Sequence, residues 1–261
     1  MAGQPRGGTP AGDFDYDRHG HGYVTHRQPD PRIAEYVLGA LGQARAILNV
    51  GAGAGSYEPA GRLVMAVEPS AVMRAQRPPG RLPAVDATAE KLPFDDGAFD
   101  AAMAMMTVHQ WPDAAAGLAE LRRVASGPVV VLTFDPDALD RLWLARYAPE
   151  VFEAERRRMP PVGAICAALG GHCDVLAVPV PIDCTDGFAE AFYARPERLL
   201  EPAVRRAQSA WGFVDAATAE RAVASLRADL ASGTWDERYG DLREQPEFDG
   251  ALRLIVGRRP G

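Results

Sequence analysis

Three glycines at alternate positions, Gly51, Gly53 and Gly55, follow the apolar run Ile47–Leu48–Asn49–Val50. A second apolar run, Leu63–Val64–Met65–Ala66–Val67, ends in Glu68. Glycines let backbone N–H groups approach a ligand where a Cβ would collide, and they accept the positive φ of a tight turn. A carboxylate at the end of the next strand can take both hydroxyls of a ribose through charge-assisted hydrogen bonds. Glycine loop and acid together imply a cofactor that contains a nucleoside.

The dinucleotide fingerprint needs a third glycine or alanine for close helix–strand packing, and here that place falls on Ser56. Twelve residues lie between Val50 and Leu63, with Pro59 among them. That leaves no room for a long helix whose N-terminus would seat a pyrophosphate. A cofactor without phosphates needs no such seat. The spacing of Gly51, Gly53 and Gly55, followed by Val67–Glu68–Pro69, resembles the class I S-adenosylmethionine-dependent methyltransferases. The stretch from Asp86 to Asp100, DATAEKLPFDDGAFD, is similar to a stretch of the small-molecule branch of that family.

The resemblance implies S-adenosylmethionine as cofactor and S-adenosylhomocysteine as product. It places Gly51, Gly53 and Gly55 against the methionine and ribose parts, and Glu68 on the ribose diol. Pro69 and Met73 would flank the adenine, although Met73 serves equally well as core. Asp86, or the backbone at Ala87, would read the adenine edge; an Asp that merely starts a turn is the competing reading. Met105 lies at the end region of the fourth expected strand, residues 101–106, where relatives place residues beside the transferring methyl. Asn49 departs from the family, many of whose members carry an acid there.

Tyr16, Tyr23 and Arg27 precede Pro29–Asp30–Pro31 and resemble the N-terminal segment that folds over the cofactor in such enzymes. An aromatic face suits a sulfonium cation, and an arginine suits the methionine carboxylate. His109, just after the fourth expected strand, is the candidate catalytic base, able to take an acceptor proton; a histidine that only lines the pocket is the alternative. His19, His21 and His26 lack the spacing of a zinc site, so no metal is expected.

These residues must be held by a frame, and the chain alternates strand-like and helix-like segments, the signature of an α/β fold. Strands are expected over residues 46–50, 63–67, 83–85, 101–106, 128–134, 175–180 and 252–256. Helices are expected over 31–41, 71–77, 113–124, 137–147 and 162–169. The stretch 183–250 carries further helical patterns at 187–194, 197–209 and 216–231. It is too long to be bare loop in a compact domain. The expected fold is a seven-stranded, mostly parallel Rossmann-like sheet with helices on both faces. A helical substrate cap at 183–250 is inserted between the sixth and seventh strands, where open α/β sheets bind ligands. Residues 1–12 read as a disordered leader and residues 13–261 as one domain, with 13–45 forming the cofactor lid.

The net charge of −7 comes without a basic block, which argues against tracking a nucleic-acid backbone. No run approaches the roughly 18 apolar residues of a membrane span, and the N-terminus has no apolar core of a secretory signal. Cys166, Cys173 and Cys184 are odd in number and scattered, as befits idle thiols in a reducing cytoplasm. The expected partner is a small-molecule methyl acceptor, with no nucleic acid and no membrane, and the protein a monomer or homodimer. Two rival readings stay open: a non-catalytic S-adenosylmethionine-binding module, and a nicotinamide-dependent dehydrogenase.

Overall fold

In the computed structural model, which describes residues 12–170 and 172–259, alternation along each strand decides which core each side chain joins. The main sheet contains β1 (Ala46–Val50), β2 (Leu63–Val67), β3 (Ala101–Met105), β4 (Val129–Phe134), β5 (Cys173–Ala177) and β8 (Leu252–Gly257), in the order β2-β1-β3-β4-β8-β5. Strands β1 to β4 pair in parallel, while β8 runs antiparallel to both β4 and β5. Ile47, Met103, Met105, Val130 and Leu132 point to one face, and Leu48, Val50, Ala102, Val129 and Val131 to the other. Burial on both faces is why β3 and β4 read as continuous apolar runs.

Helix α3 (Pro31–Leu41) covers the first face with Ile33, Val37 and Leu41, all fully buried. Burying each contributes about 1.5–3 kcal/mol. Asp30 caps the helix by accepting from the Arg32 N–H, and Pro31 occupies the first turn, where its missing N–H costs nothing. Helices α5 (Ala114–Val124) and α8 (Val162–Ala168) cover the second face. The short helices α1 (Tyr16–His19) and α2 (Tyr23–His26) precede α3, and α4 (Ala71–Ala75) follows β2.

The sheet has six strands rather than the expected seven. Residues 83–85 make only a single parallel bridge, Val85 to Val67, at the outer edge of β2. Pro83 cannot donate to a ladder, so the strand shrinks to one pair. The sixth strand also ends early. Pro179 lacks the N–H needed to continue, and the chain leaves the sheet to form β6 (Val180–Pro181), paired with β7 (Glu247–Phe248). The helix expected at 137–147 is broken by the extended backbone of Leu142 into a 3₁₀ turn, Pro136–Arg141, and α6 (Leu144–Tyr147). Pro149 then opens α7 (Pro149–Arg158), which periodicity did not reveal. Pro202 likewise divides 197–209 into a 3₁₀ turn, Pro196–Leu200, and α9 (Pro202–Arg206). Together with α10 (Ala216–Ser232) and α11 (Thr234–Tyr239), these form the helical insertion between β5 and β8. The expected leader lies, apart from Gly12, outside the described residues.

Candidate active site

No helix separates β1 from β2; the chain there is a succession of turns. Gly51, Gly53 and Gly55 have φ of +64°, +52° and +95°. A Cβ on Gly51 would collide with the Thr107 side chain, so the loops after β1 and β3 touch only because this residue is glycine. Two non-glycine residues share the left-handed conformation, Tyr57 (φ +62°) and Met106 (φ +54°). Such strain persists where the surroundings over-determine it, and it clusters at ligand sites.

Glu68 is 7% exposed. Its Oε2 accepts from the Gly53 N–H at 2.7 Å and its Oε1 from the Ser70 N–H at 2.8 Å. Burial pushes its carboxyl above the ordinary range, against the pull of those two N–H groups. Each carboxylate oxygen keeps a second lone pair, which is what a diol requires.

Asn49 and Glu58 explain one another. The Asn49 amide donates to Glu58 Oε1 at 3.0 Å, and Arg77 closes a two-pronged pair with Glu58 at 2.8 and 3.0 Å. Burial alone would raise the Glu58 carboxyl, but the bonds from Arg77 and Asn49 outweigh it and hold the group below its usual range. An acid at position 49 would set two carboxylates side by side.

Two clefts flank Glu68. The first, of about 610 Å³, lies between Phe14–Asp17, Pro69, Ala87–Glu90 and Trp111. The second, of about 560 Å³, is lined by the glycine loop, Met73, Met105, Met106, Tyr23 and Arg27. Glu68, Gly51, Thr107, Gln110 and Tyr16 border both. Asp86 is not brought in. Its side chain is 70% exposed and pairs with Arg74 at 3.0 Å, while Ala87–Glu90, which follow it, line the first cleft. Gly117 in α5 makes room for the Trp111 ring, which a Cβ there would strike.

The N-terminal segment lies across the clefts. Asp17 accepts from Ser70 Oγ at 2.6 Å, Gln110 donates to the Tyr16 hydroxyl at 2.9 Å, and the Tyr16 and Tyr23 rings meet edge-on at 5.9 Å. Arg27 reaches Asp186 at 2.6 Å and the Met106 sulfur at 3.2 Å, and Tyr57 donates to the same Asp186 at 2.9 Å. Burial disfavours the Arg27 charge, but Asp186 more than compensates. Asp186, Tyr57 and Met106 escaped the sequence reading; the positive φ values that mark two of them are invisible there. If residues 23–27 form a lid, hydrogen exchange at Tyr23–Arg27 should slow when S-adenosylhomocysteine is added; unchanged exchange would make the segment a fixed wall.

A third space, of about 740 Å³, opens beneath the helical insertion and is walled by Phe134, Leu142, Phe152, Met159, Phe188 and Trp211. Tyr16, Tyr23, Arg27, Met106 and Gln110 line both it and the second cleft, so the two spaces adjoin across these side chains. His109 faces this cavity. Burial, with Arg158 and Arg27 nearby, pushes its pKa down to about 3. The imidazole is therefore neutral over the ordinary pH range and a weak proton acceptor. Among the described residues no cluster of His, Cys, Asp or Glu could hold a metal, and no helix is long and apolar enough to cross a membrane.

Residues 48–130 match the family model of a methyltransferase domain. No curated protein matches the chain by sequence. Among solved structures, a methyltransferase described as belonging to an antibiotic biosynthesis pathway of Anabaena variabilis is similar at a TM-score of 0.82 and 29% identity, over 90% of this chain and 99% of that one. A SAM-dependent methyltransferase of Thermotoga maritima shares the fold at a TM-score of 0.51 and 16% identity, over 94% and 91% of the two chains. The glycine loop seated on Thr107, the Glu68 carboxylate with lone pairs to spare, and the absence of a pyrophosphate-seating helix all fit the cofactor of that family. Over residues 48–130 the chain carries a methyltransferase domain, with the class I fold and a site that fits S-adenosylmethionine.

Proposed function

We propose that the chain methylates a small, largely apolar molecule seated under the helical insertion. The observation that carries this reading is the shared lining of the second cleft and the apolar cavity by Tyr16, Tyr23, Arg27, Met106 and Gln110. A cofactor lying along the glycine loop would meet an acceptor at that junction. The pathway assigned to the Anabaena relative supports a low-molecular-mass acceptor.

When bound, S-adenosylmethionine supplies an electrophilic methyl on a sulfonium. The protein's part is to align and to exclude water. Glu68 would hold the ribose, and Pro69 with Ala87–Glu90 would hold the adenine; Met73 and Met105 wall the second cleft. Arg27, with Nε and one terminal nitrogen engaged by Asp186 and Met106, offers its remaining nitrogen to the methionine carboxylate. The Tyr16 and Tyr23 rings, which line the second cleft, would offer an aromatic face to the sulfonium. His109 is cavity wall rather than base: a group with a pKa near 3 removes few protons in a transition state at neutral pH. His109→Ala should therefore change turnover less than about tenfold, below the range usual for a positioned base, and leave the pH profile of the rate unchanged. A rate that falls with the titration of a near-neutral group in the wild type, and not in the variant, would restore His109 as base.

The test is incubation with methyl-labelled S-adenosylmethionine and, separately, a small-metabolite extract, nucleic acid or protein. The label should enter organic-soluble products of low mass. Label entering only macromolecules would overturn the reading.

A further inference from the structure

Ten buried side-chain polar atoms have no hydrogen-bond partner among the described residues, and three belong to side chains lining the apolar cavity: Glu190 Oε2, His109 Nδ1 and Gln208 Nε2. Unpaired buried polar atoms in an otherwise apolar space mark the places where a ligand's polar groups are read. Of the three, only Glu190 can carry a charge near neutral pH, given the depressed imidazole.

Glu190 lies in the 3₁₀ turn Ala189–Phe192 and is 4% exposed. Its Oε1 accepts from the Ala251 N–H at 2.6 Å, which fixes the carboxyl plane and leaves Oε2 free. The seat exists because Gly250 has no side chain: a Cβ there would fall on the carboxyl group. Among the described residues no salt bridge reaches it. The guanidinium of Arg253, in β8, is spent on the Gly250 and Leu252 carbonyls, both at 3.0 Å, and on Asp135 and Asp249 at 3.7 and 3.9 Å. Among the described residues one other buried carboxylate, Glu68 at the glycine loop, also lacks a salt bridge, but both of its oxygens accept from backbone N–H groups; the rest are paired. Glu58 is paired by Arg77, Asp186 by Arg27 and Tyr57, and Asp30 by Arg32.

We infer that Glu190 is a specificity-determining residue: its free oxygen accepts a hydrogen bond from an O–H or ammonium group on a methyl acceptor whose apolar ring body fills the cavity. This rests on the small-molecule reading above. Burial pushes the Glu190 carboxyl up to about 7, against the Ala251 N–H, Arg253 and the Leu252 N–H, which pull it down, and with Asp249 adding to the rise. Across the cavity it shares the space with His109, Glu155 and Arg27. Because the pKa is raised, the carboxylate form is present above pH 7 and lost as pH falls, and affinity for a cationic ligand falls with it.

The experiment is calorimetry on the protein saturated with S-adenosylhomocysteine, using naphthol, naphthylmethylamine and methoxynaphthalene as probes. The ring is common to all three, but the last has no donor. Wild type should bind naphthol and the amine about ten- to a hundredfold more tightly than methoxynaphthalene, as hydrogen bonds to a charged group warrant. Glu190→Gln, which keeps an oxygen for the Ala251 N–H, should erase the amine's advantage and its loss of affinity below pH 7. Glu190→Leu should erase both preferences; should it not fold, the glutamine variant decides alone. A hydroxyl donor is indicated if naphthol binds best, a protonated amine if the ammonium does. Preferences that are absent in wild type, or survive both variants, overturn the inference while leaving the small-molecule reading in place. Failure of all three probes to bind wild type overturns both.

Discussion

Glu68→Ala is expected to weaken S-adenosylhomocysteine binding by about ten- to 150-fold, the 1.5–3 kcal/mol carried by hydrogen bonds to a charged group. The loss has two sources. The ribose loses its acceptor, and the Gly53 and Ser70 N–H groups lose the oxygens that hold the loops after β1 and β2. Sequence alone suggests that Glu68→Gln would be milder, since an amide oxygen still accepts. The geometry argues otherwise. Both carboxylate oxygens already accept from backbone, so the glutamine NH₂ must face one N–H donor to donor. Glutamine should cost nearly as much as alanine. Calorimetry, with circular dichroism to confirm the fold, checks this; unchanged affinity in the alanine variant would remove Glu68 from the ribose.

Glu58→Ala should destabilise the fold by about 3–5 kcal/mol, the usual cost of leaving one member of a buried ion pair without its partner. The side chains of Arg77 and Glu58 are 5% and 1% exposed; Arg81, which also reaches Glu58, is more open. The damage should extend to cofactor affinity, because the glycine loop runs so near this pair that a Cβ on Gly55 would press on the Glu58 carboxyl and Arg77. Asn49→Asp should also destabilise, by converting an amide donor into a second carboxylate. Urea unfolding measures both. A loss below about 1 kcal/mol for Glu58→Ala would mean that Arg77 finds water or another acceptor.

The parts of the fold visible in the sequence were those governed by local chemistry: the apolar runs of β1 to β4, the Asp30–Pro31 start of α3, and the glycine loop. Where prolines interrupt a pattern, boundaries fail. Pro83 reduces a strand to one pair, Pro179 ends another, and Pro149 starts a helix that periodicity did not reveal. The candidate site divides along the same line. Gly51 and Glu68 belong to one short segment and can be read there. Asp186 is 159 positions from Arg27, and Glu190 meets Ala251 across 61; no local spacing encodes either contact. Asp86 and His109 show a second limit of a local reading. Their residue types suit the chemistry, but the backbone turns Asp86 to solvent and burial strips His109 of its basicity.

Cofactor binding along the glycine loop, with its reacting end at the junction shared with the apolar cavity, is most directly tested by a crystal structure with S-adenosylhomocysteine. The ribose hydroxyls should lie within hydrogen-bonding distance of Glu68, the adenine between Pro69 and the backbone at Ala87–Glu90, and the sulfur beside Met106 and Tyr23. A ligand with its ribose away from Glu68, or its sulfur walled off from the cavity, would contradict the account.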